Sequence, residues 1–299
     1  MKILKWIGIV LASLVIIVII AVVVLNVMAG NRLHKEYEIT ATPLAVPSDA
    51  ESIAKGEHLV NILLCKECHG GALEGKEFFN EPPLATIYAP NLTSGEGGAT
   101  ASYSDEDWVR SIRHGVRPDG KPLFIMPSKE YHHLSEKDLA SLIAYLKTVP
   151  PANKTWPENN YMLVGKVMLG LGAFGDVINA ESIDHSEGFK APVPEGTSTE
   201  YGNYLTFISG CRSCHGVELT GQKDPGNPDM MAPNITPGGN FGKWTQAQFA
   251  EVLRTGKTPE GLQLDEKFMP WTSLTKMHDY EIQALYNYLK SLPAKESAI

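Results

Sequence analysis

The chain has 299 residues, a formal net charge of −8 and four cysteines. The acidic excess extends through both halves and no basic run interrupts it, so nucleic acid is not an expected partner. Beyond an apolar N-terminus, about 260 residues remain, which is enough for two domains of about 100–150 residues.

The first predicted element is a membrane-spanning helix. The segment from Ile7 to Met28 contains no charged residue and is rich in Val, Ile and Leu. Its length is about what a bilayer core requires, whereas the apolar region of a cleavable signal peptide is shorter. We therefore predict a retained anchor over residues 1–35. The stretch from Val27 to Ala29 could still serve as a cleavage site, which leaves a cleaved leader as the alternative.

All four cysteines lie in two copies of one motif, "CKECH" and "CRSCH". A zinc site usually places its cysteine pairs within about twenty residues of each other, and here 142 residues separate Cys68 from Cys211. A thioredoxin-like motif or a disulfide within each pair leaves the histidine unexplained. The interpretation that uses every residue is two covalently bound haem c groups. Thioethers would form at Cys65, Cys68, Cys211 and Cys214, and the predicted iron ligands are His69 and His215.

The two motifs belong to a longer internal repeat. "APNLT" matches "APNIT", and "SIRHGVRPDGKPL" matches "VLRTGKTPEGLQL", at offsets of 141–146 residues. The chain is therefore predicted to be two copies of one domain in series. Lobe 1 covers residues 45–150 and lobe 2 covers residues 197–299, with a linker over residues 151–196.

Each copy has the sequence pattern of a helical domain. A helix is predicted to lead into each haem motif. A second helix begins after the N-cap Ser104 and stops at Gly115, and a third begins after Ser135 with an apolar face. No convincing alternation of strand residues appears, so we predict an all-α fold behind the transmembrane helix.

Two methionines are candidates for the second iron ligand. Met126 and Met269 occupy equivalent places, and each precedes a proline that favours an extended, projecting conformation. A lone Met-Pro would be ordinary packing, but two equivalent copies favour ligation. The neighbouring His132 and His133 have no counterpart in lobe 2, and we expect them at the surface.

Arg113 and Arg254 are also equivalent. A guanidinium matches a carboxylate, and haem propionates are carboxylates, so both are candidate cofactor-binding residues. An equally good interpretation is a cation that stabilises a helix C-terminus.

The repeat resembles the class I cytochrome c domain, twice, in its CxxCH, A-P-N-[LI]-T, R-x-G-x-x-x-[DE]-G and Met-Pro motifs. More closely, it resembles the membrane-bound multihaem cytochrome c subunits of bacterial alcohol-dehydrogenase-type complexes and dihaem cytochromes of respiratory chains. It differs from the dehydrogenase subunits in having two lobes instead of three, and an N-terminal anchor. The resemblance implies that the first and last helices of each lobe cross closely, Gly56 against Tyr145 and Gly202 against Tyr288.

We expect an electron-transfer protein and not an enzyme, because both irons have protein ligands on both sides. The chain would relay single electrons between a quinol-oxidising complex or dehydrogenase and a terminal oxidase or soluble carrier. Thioether-linked haem is attached outside the cytoplasm, so the lobes should lie on the periplasmic side of a single-pass span in the cytoplasmic membrane. A dihaem peroxidase or a haem-based ligand sensor is the alternative, and either needs an iron with an open site.

The linker contains the apolar, glycine-rich stretch "YMLVGKVMLGLGAFG", which is too short for a second span. It would either pack on the lobes' own apolar surfaces or form a docking strip for a partner subunit.

Overall fold

The computed structural model describes residues 2–223 and 230–298. The structure is mostly helical, which confirms the predicted fold class. The anchor is α1 (Lys2–Leu33), and the linker contains α7 (Leu163–Gly170) and a 3₁₀ helix (Asn179–Glu181). The helices of lobe 1 are α2 (Ala50–Ile62), α3 (Cys65–His69), α4 (Asp105–His114), α5 (Ser128–Tyr131) and α6 (Glu136–Leu146). Those of lobe 2 are α8 (Thr199–Ile208), α9 (Cys211–His215), α10 (Gln246–Thr255), α11 (Trp271–Leu274) and α12 (Asp279–Ser291), with a 3₁₀ helix at Asn240–Lys243.

Helix α1 projects away from the lobes. At 1.5 Å per residue its 32 residues extend about 48 Å, enough to cross a bilayer. Among the described helices it alone is long and apolar enough for a span, and none of the residues in its most apolar part is buried. Its side chains are therefore available to lipid.

The two lobes use the same local signals in the same order. Helix α4 begins with a capping box between Ser104 and Asp107, and α10 begins with the equivalent box between Thr245 and Gln248. Both helices end at a glycine with left-handed backbone, Gly115 in lobe 1 and its counterpart in lobe 2. The predicted start at Ser104 and stop at Gly115 are confirmed.

The first and last helices of each lobe cross at a glycine, as the resemblance implies. A Cβ atom on Gly56 would lie 2.0 Å from the carbonyl oxygen of Ser141 and 2.7 Å from the Cβ of Tyr145. On Gly202 it would lie 2.7 Å from the Cβ of Tyr288. Any larger residue would force the helices apart and open the haem domain.

A small sheet in lobe 1 was missed by the sequence prediction. Strands β1 (Lys76–Glu81), β2 (Ala85–Ala89) and β3 (Asn160–Tyr161) pair antiparallel in the order β1-β2-β3. Lobe 2 has only the two-residue strands β4 (Gln222–Lys223) and β5 (Met231–Ala232) within its described part. Strand β1 carries no clean alternation because most of its side chains are exposed, and β2 is built largely from small residues.

The lobes pack against each other through equivalent residues. The hydroxyl of Tyr204 on α8 donates to Asp138 on α6 at 2.5 Å, and His58 Nε2 on α2 lies 2.9 Å from Glu281 on α12. Positions 58 and 204 correspond in the repeat, as do 138 and 281. The interface is therefore approximately two-fold symmetric, and one hydrophobic core extends across both lobes.

The linker packs on both α1 and lobe 1. A Cβ on Gly170 of α7 would lie 2.4 Å from the carbonyl oxygen of Leu25 on α1, and one on Gly165 would lie 2.1 Å from that of Leu84 in lobe 1. The residues after α7 continue across lobe 1, where Ile125 N donates to Val177 O at 2.7 Å. Of the two alternatives, packing on the chain's own surfaces describes this segment, with the anchor as the additional surface.

Candidate haem sites

Each CxxCH motif forms a short helix after a sharp break in the chain. Leu64 precedes α3 with φ 63° and Gly210 precedes α9 with φ 72°, so the chain turns out of the preceding helix and starts a new one. Residues three and four apart on such a helix lie on one face. The break therefore aims both cysteines and the histidine of each motif in one direction.

A backbone carbonyl orients each predicted proximal histidine. His69 Nδ1 donates to the carbonyl oxygen of Pro90 at 2.9 Å, and His215 Nδ1 donates to that of Pro233 at 2.7 Å. Burial lowers the pKa of both imidazoles. A neutral ring with its Nδ1 proton held by a carbonyl presents Nε2 as a metal ligand. Sequence reasoning missed the two prolines, although the repeated "APN" was the available signal.

The asparagine after each proline fixes this carbonyl in place. Asn91 accepts from the backbone N–H of Thr93 at 2.9 Å and donates to Ala152 O at 2.7 Å. Asn234 donates to Lys295 O at 2.9 Å in the same way. In each lobe the loop that holds the histidine is thereby tied to the chain beyond the last helix.

The cysteines lie in an environment that disfavours thiolates. Burial raises the pKa of the Cys65 thiol to about 12 and also raises the pKa of Cys68 and Cys211. Zinc ligation and nucleophilic catalysis both need a lowered thiol pKa. No disulfide joins either pair, and within residues 2–223 and 230–298 no three His, Cys, Asp or Glu side chains converge to hold a metal ion. Neutral thioethers suit this environment.

The two Met-Pro loops form the same turn, but different backbone hydrogen bonds hold each loop in place. Ser128 N donates to Met126 O at 2.8 Å, and Trp271 N donates to Met269 O at 2.7 Å. Both methionines are half-buried against the core. In lobe 1 the turn is held by the linker through Ile125, which has a left-handed φ of 65°. In lobe 2 Met269 N donates to Asp265 O at 3.0 Å, within the same loop.

Arg113 has unused donors inside the protein. Its side chain is 0% exposed, and its Nη2 donates to the carbonyl oxygens of Glu187 and Gly188 at 2.9 and 2.6 Å. Its Nε and Nη1 have no partner. A buried cation with two free donors needs an anion, which a haem propionate would provide.

Arg254 is in a different situation. Its Nη2 donates to the carboxylate of Asp279 at 2.8 Å, and its Nη1 donates to Thr275 O. The side chains of Arg254 and Asp279 are 31% and 100% exposed. Its contact with a propionate stays a prediction.

The expected surface position of the His132–His133 pair is wrong. His132 is 5% exposed, its Nδ1 donates to Arg113 O at 3.2 Å, and its Nε2 lies 3.3 Å from the Glu187 carboxylate without hydrogen-bond geometry. His133 is half-buried and packs against Phe207 of lobe 2, with ring centroids 4.4 Å apart and the rings tilted by 37°. The linker covers His132 and lobe 2 covers His133, whereas both side chains would be exposed to water in an isolated lobe 1. Sequence patterns within one lobe do not reveal contacts with other segments.

The haem motifs and the Met-Pro loops meet across the interface. Ser273 Oγ, on the helix after Met269, donates to Glu67 in the first haem motif at 2.5 Å. Reciprocally, Ser213 in the second haem motif donates to Glu130, on the helix after Met126. The CxxCH helix of each lobe therefore contacts the short helix that follows the Met-Pro motif of the other lobe.

Two family descriptions match the two lobes. Residues 51–146 match the family described as cytochrome c oxidase, cbb3-type, subunit III, and residues 200–293 match the family described as cytochrome c. The chain is a tandem of two cytochrome c domains. Each domain match includes one CxxCH motif and the helix crossing at its glycine.

Characterised cytochromes are similar over most of the chain. The cytochrome subunit of fructose dehydrogenase from Gluconobacter japonicus is 26% identical over 301 residues, which cover 90% of this chain and 57% of that protein. The cytochrome c subunit of the quinone alcohol dehydrogenase of Gluconacetobacter polyoxogenes is 26% identical over 302 residues, covering 88% and 62%. A diheme cytochrome c-type protein of Cereibacter sphaeroides is 26% identical over 290 residues, covering 84% and 92%. The tandem cytochrome thus spans about three fifths of the dehydrogenase subunits.

These findings support two covalently bound haem c groups. The residues present fit the group on three counts: neutral histidines held by carbonyls, cysteines in a site that disfavours thiolates, and a buried arginine with two free donors.

Proposed function

We propose that this membrane-anchored dihaem cytochrome c relays single electrons from a quinol-oxidising complex or a dehydrogenase to a terminal oxidase or a soluble carrier. The observation that carries the proposal is the duplication of a complete site. Each lobe holds a carbonyl-oriented histidine, a cysteine pair and a Met-Pro loop, and the two sites meet at one interface. The similarity to dehydrogenase cytochrome subunits supports a membrane redox complex as one partner.

Within each lobe the residues take distinct roles. Cys65, Cys68, Cys211 and Cys214 would hold the porphyrin, His69 and His215 would each provide one iron ligand, and Met126 and Met269 would each provide a second. Bound haem supplies a one-electron couple, whose potential a methionine ligand raises. Arg113 binds a propionate, and Arg254 is the candidate in lobe 2. The anchor is 1–35, the domains are 45–150 and 197–299, and the linker is 151–196.

The anchor determines where the relay operates. With α1 in the cytoplasmic membrane and its N-terminus inside, both lobes lie on the periplasmic side, where covalent haem attachment takes place. The net charge of −8 favours basic mobile partners, and such encounters slow as salt screens them.

Haem content tests the basis of the proposal. The protein made in a host with c-type maturation should have an intact mass of chain plus two haems. Replacing Cys65 and Cys68 by serine should remove one haem, and replacing Cys211 and Cys214 should remove the other. A wild-type chain with fewer than two covalent haems contradicts the proposal.

Electron relay is tested with the holoprotein in proteoliposomes. Membranes that contain a quinol-oxidising complex or a dehydrogenase, supplied with its electron donor, should reduce both haems. A soluble basic cytochrome in the oxidised state should then reoxidise them. Carbon monoxide separates the alternatives, because an iron with two protein ligands does not bind it readily. Rapid binding to the reduced wild type would reveal an open site and favour the peroxidase or sensor.

A further inference from the structure

Helix α7 of the linker presents apolar side chains that the protein itself does not cover. Leu163, Val164 and Leu171, the last directly after the helix, are 59%, 43% and 64% exposed. On the opposite side, Gly165 and Leu169 are buried. The question is what covers the outer face.

The position of α7 along α1 answers this question. The close contact of Gly170 is with Leu25, which lies inside the uncharged run from Ile7 to Met28. Leu25 is three residues, or about 4.5 Å along the helix axis, from the end of that run. The C-terminal end of α7 is therefore at the level where α1 enters the membrane.

Polar and apolar contacts fix α7 at this level. Ala29, Leu169 and Ile178 form a buried cluster between α1 and the linker. Arg32 Nη1 donates to Leu169 O at 2.6 Å, and its Nε and Nη2 pair with the Glu181 carboxylate at 3.0 and 2.7 Å. The two helices thus form one unit, and α7 cannot leave the membrane surface without separating from α1.

We propose that α7 is an interfacial helix of the outer leaflet, with Leu163, Val164 and Leu171 in contact with phospholipid acyl chains. The occupant is lipid because this surface continues the lipid-facing surface of α1, where Val24 and Val27 are 50% and 53% exposed. Interfacial helices typically combine an apolar face with basic residues, and Lys35 and Lys166 supply the basic residues here. The inference rests on α1 as the membrane anchor in the proposed function.

The contact has a consequence for lobe 1. Met162 N donates to Leu84 O at 3.0 Å, and Gly165 packs on the same carbonyl. Helix α7 is therefore joined to lobe 1 as well as to α1. Lipid contact holds lobe 1, and its haem, at a fixed orientation on the membrane.

Photocrosslinking in the full-length holoprotein tests the proposal. Val164 or Leu171, both exposed, is replaced by p-benzoylphenylalanine, and the protein is irradiated in liposomes of one phosphatidylcholine. We expect a mass increase of one phospholipid at each position. Val217 and Leu262 of lobe 2 are the matched controls, because they are apolar and 77% and 63% exposed but far along the chain from the anchor. They should give no lipid adduct.

The other outcomes overturn the proposal in distinguishable ways. A covalent dimer on a gel would show that a second copy covers α7, and the absence of any adduct would show that water does. A probe at Val24 of α1 serves as the positive control. If that probe also fails to capture lipid, the anchor itself is wrong, and the interfacial role of α7 fails with it.

Discussion

The two lobes share one framework and differ around the arginine that occupies the same repeat position in each. In lobe 1, residues 177–190 of the linker cover this edge, and Arg113 is sealed beneath them with two free donors. In lobe 2 the equivalent Arg254 is partly exposed and pairs with Asp279. The same residue at the same repeat position is thus a buried cation with two unpaired donors in one copy and a carboxylate-paired, partly exposed cation in the other. A connecting segment, and not the domain itself, makes the difference.

The largest expected effect is equal in both lobes and tests their equivalence. Met126→Ala and Met269→Ala should each remove about half of the methionine-to-iron charge-transfer band of the oxidised protein, because each lobe would lose one of its two iron ligands. The measurement is the near-infrared edge of the visible spectrum. A double variant with an undiminished band would show that other residues complete the irons.

Lowering the pH should destabilise lobe 1 more than lobe 2. Burial, and next the Arg113 cation, lowers the pKa of His114 to about 3, whereas lobe 2 has Thr255 at this position. The unfolded chain binds a proton near pH 6.5 and folded lobe 1 does not, so the stability of lobe 1 falls as pH drops from 6.5 toward 3. Between pH 6.5 and 5 the loss should be about 2 kcal/mol.

The single-methionine variants make this measurable. The band that remains in Met269→Ala reports lobe 1, and the band in Met126→Ala reports lobe 2, so denaturant midpoints can be compared at both pH values. Adding His114→Thr should reduce the pH dependence of lobe 1, and the part that remains comes from His132 and His133, whose pKa values burial also lowers. Equal pH dependence of the two lobes before that substitution would contradict the role of His114.

The arginines should affect the potentials unequally. Arg113→Gln removes a buried positive charge that favours the reduced haem, so the potential of lobe 1 should fall by about 50 mV, since 59 mV corresponds to about 1.4 kcal/mol for one electron. Arg254→Gln, the matched control, should shift lobe 2 by less than half as much because Asp279 already neutralises that charge. Spectroelectrochemical titration measures the reduction potentials of both lobes. Similar shifts in the two variants would contradict the idea that burial makes Arg113 more influential than Arg254.

The smallest effect concerns the interface between the lobes. Tyr204→Phe removes the 2.5 Å hydrogen bond to Asp138 and the bond that the hydroxyl accepts from Ser135 N, and it should lower the free energy of unfolding by about 1.5 kcal/mol. Tyr201→Phe is the control, because its hydroxyl is 3.4 Å from Glu281 and contributes less. Chemical denaturation compares the two, and a larger loss in Tyr201→Phe would contradict this account.

Much of this architecture was predictable because short sequence patterns determine it. Ser104 and Gly115 delimit a helix through backbone capping, and Gly56 opposes Tyr145 because only glycine permits that crossing. Duplication strengthened each inference, since an independent copy repeats it. The candidate site residues themselves stay predictions, whereas the two haem domains are confirmed by the family matches.

What the sequence did not predict depends on segments far apart in the chain. The burial of His132 requires the linker carboxylate of Glu187, and the sheet of lobe 1 takes its third strand from residues beyond the lobe. The proline carbonyls that hold His69 and His215 are backbone groups, so the repeated "APN" could mark the loop but not the direction of its carbonyl. Local periodicity contains no information on such covering or on carbonyl direction.

The reciprocal hydrogen bonds at the interface between the lobes indicate how the chain evolved. Glu67 pairs with Ser273 and Ser213 pairs with Glu130, so the same two positions are bonded on both sides while acid and alcohol have changed places. Such mutual contacts are what the isologous surface of a symmetric homodimer provides. Fusion of two identical protomers, followed by divergence, would leave this pattern. The present chain is in that sense a dimer with a covalent tether, in which each half has been free to specialise its haem without losing its partner.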